Sequence, residues 1–157
     1  MFSLFIRNLF YTILLPGMVA GYFPYLILGR PIRLQTAESP NVIQYLGVPV
    51  FLTGLIILVS CIAWFATHGK GTLSPLDPTK KLVLSGLYRY TRNPMYAGVM
   101  LMLIGEAMFY RSGSLWLYSA FVFIAFNLFI IGFEEPRLRK EFSKEYDDYC
   151  VKVRRWL

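Results

Sequence analysis

The sequence predicts an all-α integral membrane protein with about four transmembrane helices, and three observations support this fold class. Hydrophobic residues make up 56% and aromatic residues 17% of the 157 positions, which is more than soluble domains carry. Apolar runs about as long as a bilayer-crossing helix recur along the chain. The basic residues fall mainly on one side of the resulting arrangement. We therefore predict a single membrane domain over residues 1–157.

The candidate helices are four hydrophobic runs, at roughly 8–29, 43–67, 95–110 and 114–133. The first, second and fourth have about the 20 residues needed to cross a bilayer core of about 30 Å. The third run is short, and the turn-forming stretch RSGS follows it directly. We therefore expect the third and fourth helices to form a helical hairpin.

The first run starts near the N-terminus, in the stretch MFSLFIRNLFYTILL. This stretch has no basic segment ahead of its apolar residues and no small-residue cleavage site, so we expect a retained first helix and not a signal peptide. Residues 1–67 would then form two N-terminal spans. Residues 68–157 would hold the hairpin and the polar segments around it.

The distribution of basic residues predicts the orientation of the helices. With a cytoplasmic N-terminus, only Arg30, Arg33 and Arg111 lie on the far side, against the remaining 13 of the 16 lysines and arginines. This bias follows the positive-inside rule and predicts that both termini are cytoplasmic. In a prokaryote the membrane would be the inner (plasma) membrane. The net charge of +7 is thereby explained by topology and by attraction to anionic lipid, so no nucleic-acid partner is expected.

Two polar segments, 68–94 and 134–157, fall on the predicted cytoplasmic side and can meet there. The second has apolar residues at helical spacing with charges between them, which predicts a C-terminal amphipathic helix at the interface or folded over the bundle. The apolar positions are Leu138, Phe142, Tyr146, Tyr149, Val153 and Trp156. Two unpaired cysteines and one histidine are too few for a thiolate or imidazole metal site, so no metal is expected.

The stretch LVLSGLYRYTRNPMYAG places a polar cluster directly before the third hydrophobic run. Pro94 suits the first turn of a helix, and Asn93 before it suits the N-cap position. The positive end of this helix would lie beside Arg89, Arg92 and Tyr96, an arrangement suited to a carboxylate or another anion. The alternative interpretation is an interfacial belt, in which Tyr and Arg anchor a helix end at the lipid headgroups.

A second polar cluster closes the fourth run. Asn127 and Glu134 are seven residues apart, which predicts that they share one helix stripe with Ile131 between them. Glu134 and Glu135 end an apolar helix although carboxylates oppose the dipole there, which favours a ligand contact. Alternatively, the two carboxylates form ordinary ion pairs with the basic residues after them.

Glu106 is the third candidate, about 16 Å into the third helix. An ionisable group at such a depth is a functional hypothesis. Three roles are open: a protonated acid bonded to a neighbouring helix, a substrate contact, or a side chain that extends toward Arg111 at the far interface.

The ordered motifs of this region resemble the isoprenylcysteine carboxyl methyltransferase family and its relatives among bacterial membrane methyltransferases and phospholipid N-methyltransferases. That pattern is Gly-x-Tyr, then Arg-(His or Asn)-Pro-x-Tyr opening a membrane helix, then a hairpin, Glu-Glu-x-x-Leu and Tyr-x-x-Tyr. It covers roughly residues 70–157. The matching positions are Gly86 and Tyr88, Arg92 to Tyr96, Glu134 and Glu135 with Leu138, and Tyr146 with Tyr149.

The resemblance implies S-adenosylmethionine as methyl donor, bound at the cytoplasmic mouth between the third and fourth helices and the C-terminal segment. Carried over by position, the cofactor-binding residues are Lys80, Lys81, Leu82, Val83, Tyr88, Asn93, Pro94, Met95, Tyr96 and Glu134. No catalytic residue follows from it. Glu135 and Glu106 are candidates for orienting the methyl acceptor.

The sequence departs from the carboxyl methyltransferases at two positions. Asn93 replaces a histidine and has no titratable proton, and Ile130 stands where the eukaryotic enzymes have a substrate-contacting arginine. We therefore expect methyl transfer to a lipophilic acceptor from the bilayer, either isoprenylcysteine-carboxylate-like or a lipid amine. The alternatives are an NADPH-dependent enzyme similar to sterol reductases and a non-catalytic membrane scaffold.

Overall fold

The computed structural model describes residues 15–29, 41–68, 82 and 84–156, and the secondary structure within these residues is helical. The elements, in chain order, are α1 (Leu15–Leu28), α2 (Val42–His68), a short 3₁₀ turn (Gly86–Arg89), α3 (Pro94–Phe109), α4 (Gly113–Phe129), a π-turn (Ile130–Glu134) and α5 (Glu135–Lys152). The predicted start of the first helix, before residue 15, lies outside the described residues.

Two described helical stretches are long and apolar enough to cross a membrane, Val42–Trp64 and the apolar part of the continuous run Gly113–Lys152. α1 and α3 are apolar but shorter. The 16 residues of α3 extend about 24 Å at the standard rise, less than the bilayer core of about 30 Å. The predicted four-span topology therefore stays a prediction, while an all-helical fold with two candidate spans is what the structure shows.

Glycines bring α2 and α3 into backbone contact. Gly54 faces Gly98, and a Cβ at residue 54 would lie 2.5 Å from the Gly98 carbonyl oxygen. Seven residues away on each helix Gly47 faces Gly105, and a Cβ at residue 105 would lie 2.7 Å from the Gly47 carbonyl oxygen. The pairing runs in opposite directions along the two helices, so they are antiparallel. Small residues at such a contact permit the close van der Waals packing on which membrane helices depend.

α3 lies at the centre of the bundle, where α1, α2 and α4 contribute to one apolar core. Its members are Ala20, Leu58, Val99, Met102, Leu103 and Val122. α1 contains a π-turn at Met18–Tyr22, and the Val19 carbonyl within it accepts a hydrogen bond of 3.0 Å from the Tyr118 hydroxyl. A π-turn interrupts the regular backbone ladder, so this phenol supplies a partner from α4 at the interruption.

The short connection between α3 and α4 is a tight turn. Arg111 adopts a left-handed conformation with φ of 49°, and the Ser112 amide donates to the Ala107 carbonyl at 3.3 Å. The Ser112 hydroxyl then accepts from the Leu115 amide and caps the start of α4. The two helices pack against each other, and whether both cross a bilayer as a hairpin stays a prediction.

The chain after α4 returns to the start of α3. α5 bends at Ser143, whose φ of 44° and ψ of −121° are not helical, and it ends at Lys152. Val153 is extended, with φ of −125° and ψ of 132°. We call residues 153–156 the C-terminal strap. The strap lies against the residues that precede α3, and this contact builds one side of the candidate site.

Candidate functional site

The start of α3 is the centre of the candidate site. Pro94 occupies the first turn, and Asn93 stands at the N-cap position. The predicted N-cap position of Asn93 is confirmed, but its side chain forms no capping hydrogen bond. Its Nδ2 atom instead donates to the Arg155 carbonyl of the strap at 3.1 Å. The Ala97 amide donates to the Asn93 carbonyl, and Pro94 has no N–H. The first turn therefore offers the amides of Met95 and Tyr96.

Tyr96 joins α3 to the end of α4. Its hydroxyl donates to Glu134 Oε2 at 3.0 Å, and its ring lies 4.8 Å from the Phe126 ring, centroid to centroid. The chain thus places a carboxylate, a phenol and an aromatic face within one turn of the helix start. This combination has a carboxyl group that can accept hydrogen bonds and flat surfaces that suit a planar ligand.

The π-turn before α5 determines which way Glu134 faces. In a regular α-helix Asn127 and Glu134 would share a stripe, but a π-turn absorbs about one extra residue and rotates the residues after it by about 100°. Glu134 consequently aligns with Phe126 and faces α3, while the Asn127 Oδ1 atom accepts from the Trp156 indole at 3.1 Å. The shared stripe of Asn127 and Glu134 predicted from the sequence is therefore wrong.

Glu135 points to different partners from its neighbour. Its carboxylate accepts two hydrogen bonds from Arg155, at 2.7 and 3.0 Å, and one from Arg92 at 3.3 Å. Burial alone raises the pKa of Glu135, but the hydrogen bond and charge of Arg155 together with the charge of Arg92 outweigh burial and lower it. Arg92 also donates to the Cys150 sulfur at 2.8 Å. Glu135 thus links the strap and α5 to the segment before α3.

The backbone of the strap is bonded to the same segment. The Arg92 amide donates to the Arg154 carbonyl at 2.9 Å. The Arg155 carbonyl accepts from the Thr91 hydroxyl at 3.0 Å in addition to Asn93. At the end of the strap the Trp156 ring lies 5.3 Å from the Phe123 ring on α4. The strap therefore bridges the start of α3 and the outer side of α4.

Tyr88 completes this side of the site from the 3₁₀ turn. Its carbonyl accepts a hydrogen bond of 2.6 Å from the Tyr149 hydroxyl. Burial, followed by the proximity of Cys61 and Glu134, raises the pKa of the Tyr88 phenol, so it stays protonated at neutral pH. Its hydroxyl lies among groups from α2, α3 and the π-turn.

α2 supports the 3₁₀ turn through Trp64. The Trp64 indole donates to the Ser85 hydroxyl at 3.0 Å. Gly86 has φ of 67°, and a Cβ there would lie 3.2 Å from the Trp64 ring. Glycine suits this position both for its left-handed backbone and for the close indole.

The structure brings part of the sequence-predicted site together. Tyr88, Asn93, Pro94, Met95, Tyr96 and Glu134 gather around the start of α3, and Leu82 is half-buried ahead of the 3₁₀ turn. Lys80, Lys81 and Val83 lie outside the described residues. The proposed binding role of these residues stays a prediction.

The two acceptor-orienting candidates are placed differently. Glu135 lies at the site, with its oxygens bonded to arginines. Glu106 is ten residues from Tyr96, about 15 Å along α3, and its buried Oε2 atom has no hydrogen-bond partner among the described residues. Glu106 is therefore not part of the cluster around Tyr96.

Sequence reasoning missed several residues that build the site. From the sequence, Arg155 is only one of the basic residues and Trp156 only one position of the amphipathic pattern. Neither Trp64 nor Cys61 of α2 is a predicted site residue.

The sequence carries no local signal for the strap, because Val153 and Trp156 continue the helical spacing of Tyr149. The predicted extension of the amphipathic helix to these two residues is wrong, since α5 ends at Lys152 and Val153 is extended.

Most of the site, apart from the strap and the end of α5, lies in the part of the chain that matches a known family. The sequence profile of phospholipid methyltransferases matches residues 42–145, from the start of α2 to within α5. A protein of Haemophilus influenzae, described as an uncharacterized protein, is 35% identical over 63 residues, which are 40% of this chain and all of that relative. No solved structure matches the chain. With two candidate membrane spans and most of the matched region in one helical bundle, the chain belongs to the phospholipid methyltransferase family of membrane methyltransferases.

Proposed function

We propose that the protein is an S-adenosylmethionine-dependent methyltransferase that modifies a lipophilic acceptor from the bilayer. The observation that carries this proposal is the hydrogen bond between Tyr96 and Glu134 at the start of α3. Family membership supports methyl transfer. The Tyr96–Glu134 pair lies where a donor with a cationic group and an aromatic ring could bind to this chain.

The chemistry of the described residues fits this donor. The amides of Met95 and Tyr96 at the positive end of α3 suit its carboxylate. The Glu134 carboxylate suits its hydroxyl and cationic groups, and the Phe126 and Tyr96 rings suit its adenine. When bound, S-adenosylmethionine supplies an electrophilic methyl group on a sulfonium.

The residues of the chain contribute orientation and exclusion of water. Tyr96 fixes the Glu134 carboxylate, and Tyr88 and the strap close two sides of the helix start. A carboxylate acceptor needs no base, whereas an amine must arrive without its extra proton and release another after methylation. We infer no general base among the described residues for that proton.

The acceptor class is inferred from the surroundings of the site. α4 exposes large apolar side chains outward, with Leu117 at 76% exposure, which suits lipid tails. Ile130, where the eukaryotic carboxyl methyltransferases have arginine, is 1% exposed and offers no charge to an acceptor carboxylate. We propose that the acceptor is lipid-like, and that donor and both termini are cytoplasmic.

Donor binding by the purified protein in detergent tests the proposal. Calorimetry should show binding of S-adenosylmethionine and not of NADPH. Glu134→Gln should weaken donor binding about 10- to 100-fold, because a hydrogen bond to a charged group contributes about 1.5–3 kcal/mol. Tyr96→Phe should weaken it several-fold, and the matched control Glu145→Gln, on an exposed part of α5, should leave it unchanged.

Membranes that contain the protein, incubated with methyl-labelled donor, should yield a labelled lipid-soluble product. Binding of NADPH without S-adenosylmethionine would instead support the reductase-like alternative. A chain that binds neither, with all variants equal to wild type, would support the scaffold alternative.

A further inference from the structure

We propose that the C-terminal strap is a positioning element of the donor site, with Trp156 and Asn127 as the pair that holds it in place; this inference rests on the proposed function. The strap comprises residues 153–156, beyond the part of the chain that the family profile matches. It has no motif of its own. Its role is inferred from the groups that its backbone and its terminal indole bind.

The strap orients the side chain of Asn93. A backbone carbonyl only accepts hydrogen bonds, so the contact with Arg155 fixes the Asn93 amide nitrogen on the strap side. The amide oxygen then faces away from the Arg155 carbonyl, and no described residue donates to it. Asn93 is 7% exposed. A buried amide held in this way presents a fixed acceptor to an N–H or O–H group of the donor.

The Arg155 carbonyl is held firmly in turn. Its two lone pairs accept from Thr91 and Asn93, at 3.0 and 3.1 Å. The Arg155 side chain forms its two hydrogen bonds to Glu135, a bidentate and therefore well-oriented contact. The residue thus fixes Asn93 through its backbone while its guanidinium fixes the strap to α5.

The far end of the strap is fixed to α4. The Trp156 indole donates to Asn127 Oδ1, and the Asn127 amide donates back to the Phe123 carbonyl at 2.8 Å, which sets the orientation of the Asn127 side chain. Two turns further along the same helical run stands Glu134. The Trp156–Asn127 contact therefore connects the helix that carries Glu134 to the strap that orients Asn93, so both sides of the donor site are held at one relative position.

A double-mutant cycle on this pair tests the proposal, with affinity for S-adenosylmethionine measured by calorimetry in detergent. Trp156→Phe retains an aromatic ring against Phe123 and removes the N–H donor. We expect about three- to tenfold weaker binding, since one such hydrogen bond contributes about 0.5–1.5 kcal/mol. Asn127→Ala should weaken binding similarly, and the double variant should be no worse than either single variant.

Two further measurements separate positioning from general loss of stability. Trp116→Phe is the matched control, because Trp116 is an exposed residue at the start of α4, and it should bind the donor as wild type does. Limited trypsin digestion with mass spectrometry should show slow cleavage after Lys152 and Arg154 in wild type and faster cleavage in Trp156→Phe. Saturating donor should slow cleavage in both.

The proposal is overturned if Trp156→Phe and Asn127→Ala bind the donor as tightly as wild type, or if their losses simply add. Cleavage of the strap that is equally fast in wild type and in Trp156→Phe would also overturn it. A wild-type protein that binds no S-adenosylmethionine refutes the proposed function itself, and with it this inference. A binding wild type with unaffected strap variants refutes the strap proposal alone.

Discussion

Two adjacent carboxylates take on different tasks in this chain. Glu134 accepts from the Tyr96 phenol and faces the start of α3, whereas Glu135 is bonded to Arg92 and Arg155. The difference in partners gives the two residues different chemistry. A carboxylate between two arginines has its charge compensated by the protein, and one beside a phenol still suits a cationic ligand.

The arginine contacts of Glu135 predict an acid-sensitive contribution to stability. Its folded pKa is lowered from the ordinary 4.5, so its stabilisation is fully present above about 4.5 and is lost as the pH falls through the lowered value. At neutral pH, Glu135→Gln should lower the free energy of unfolding by about 1–3 kcal/mol, and the unfolding temperature should fall accordingly. The difference should narrow on acidification below about pH 4.5.

Thermal unfolding in detergent across this pH range checks that prediction. Glu141→Gln is the matched control. The ion pair between Glu141 and Arg137 is long, at 4.0 Å, and solvent-exposed, and such pairs contribute little to stability. If the difference in unfolding temperature between Glu135→Gln and wild type stays constant down to acidic pH, Glu135 does not contribute the proposed acid-sensitive stabilisation.

At the scale of elements, the sequence predicted the features that depend on local pattern. Residue type and spacing predict Pro94 in the first helical turn and the short linker at Arg111. The helices on either side of this linker, α3 and α4, lie close to their predicted bounds. The location of the contiguous motif residues 93–96 at the start of α3 was likewise predicted, while their binding role stays a prediction. These features rest on contacts within a few residues.

Features that depend on long-range contacts could not be predicted. The π-turn at Ile130–Glu134 has no local sequence signal in an apolar run, and it separates Asn127 from Glu134. Asn93 suits the N-cap by residue type, but a strap carbonyl 62 positions away binds its side chain. The partner of the Asn93 side chain is therefore a tertiary contact, which residue type alone does not reveal.

The paired glycines of α2 and α3 leave little space between these two helices. Gly54→Ala would put a Cβ 2.5 Å from the Gly98 carbonyl oxygen and 2.7 Å from the Met102 amide, so the helices must separate. We expect a loss of about 1–3 kcal/mol, typical of overpacking, seen as a lower unfolding temperature. Gly113→Ala is the control, since nothing lies within 4 Å of its added Cβ, and its unfolding temperature should not fall. Equal stability of the two variants would contradict the close approach.

For the whole molecule, the proposed orientation ties the site to the donor supply. The strap, α5 and the start of α3 lie at one end of the bundle, and the α3–α4 turn lies at the other end of α3. The basic residues favour the first end as cytoplasmic, and S-adenosylmethionine is a charged donor that does not cross lipid unaided. If the site faced the other way, the donor would not reach it.

Cysteine labelling tests this orientation on the intact protein. In a background with Cys61→Ala and Cys150→Ser, a cysteine at Lys144 on α5 should react with a membrane-impermeant maleimide only in inside-out vesicles. A cysteine at Gly113, the exposed first residue of α4, should react only in right-side-out vesicles. Methyl transfer to lipid in each vesicle type gives an independent measure, because the donor should support the reaction only where Lys144→Cys is labelled. Labelling of both positions from the same side would contradict a span through α4, and labelling with the sides exchanged would place the site outside the cytoplasm.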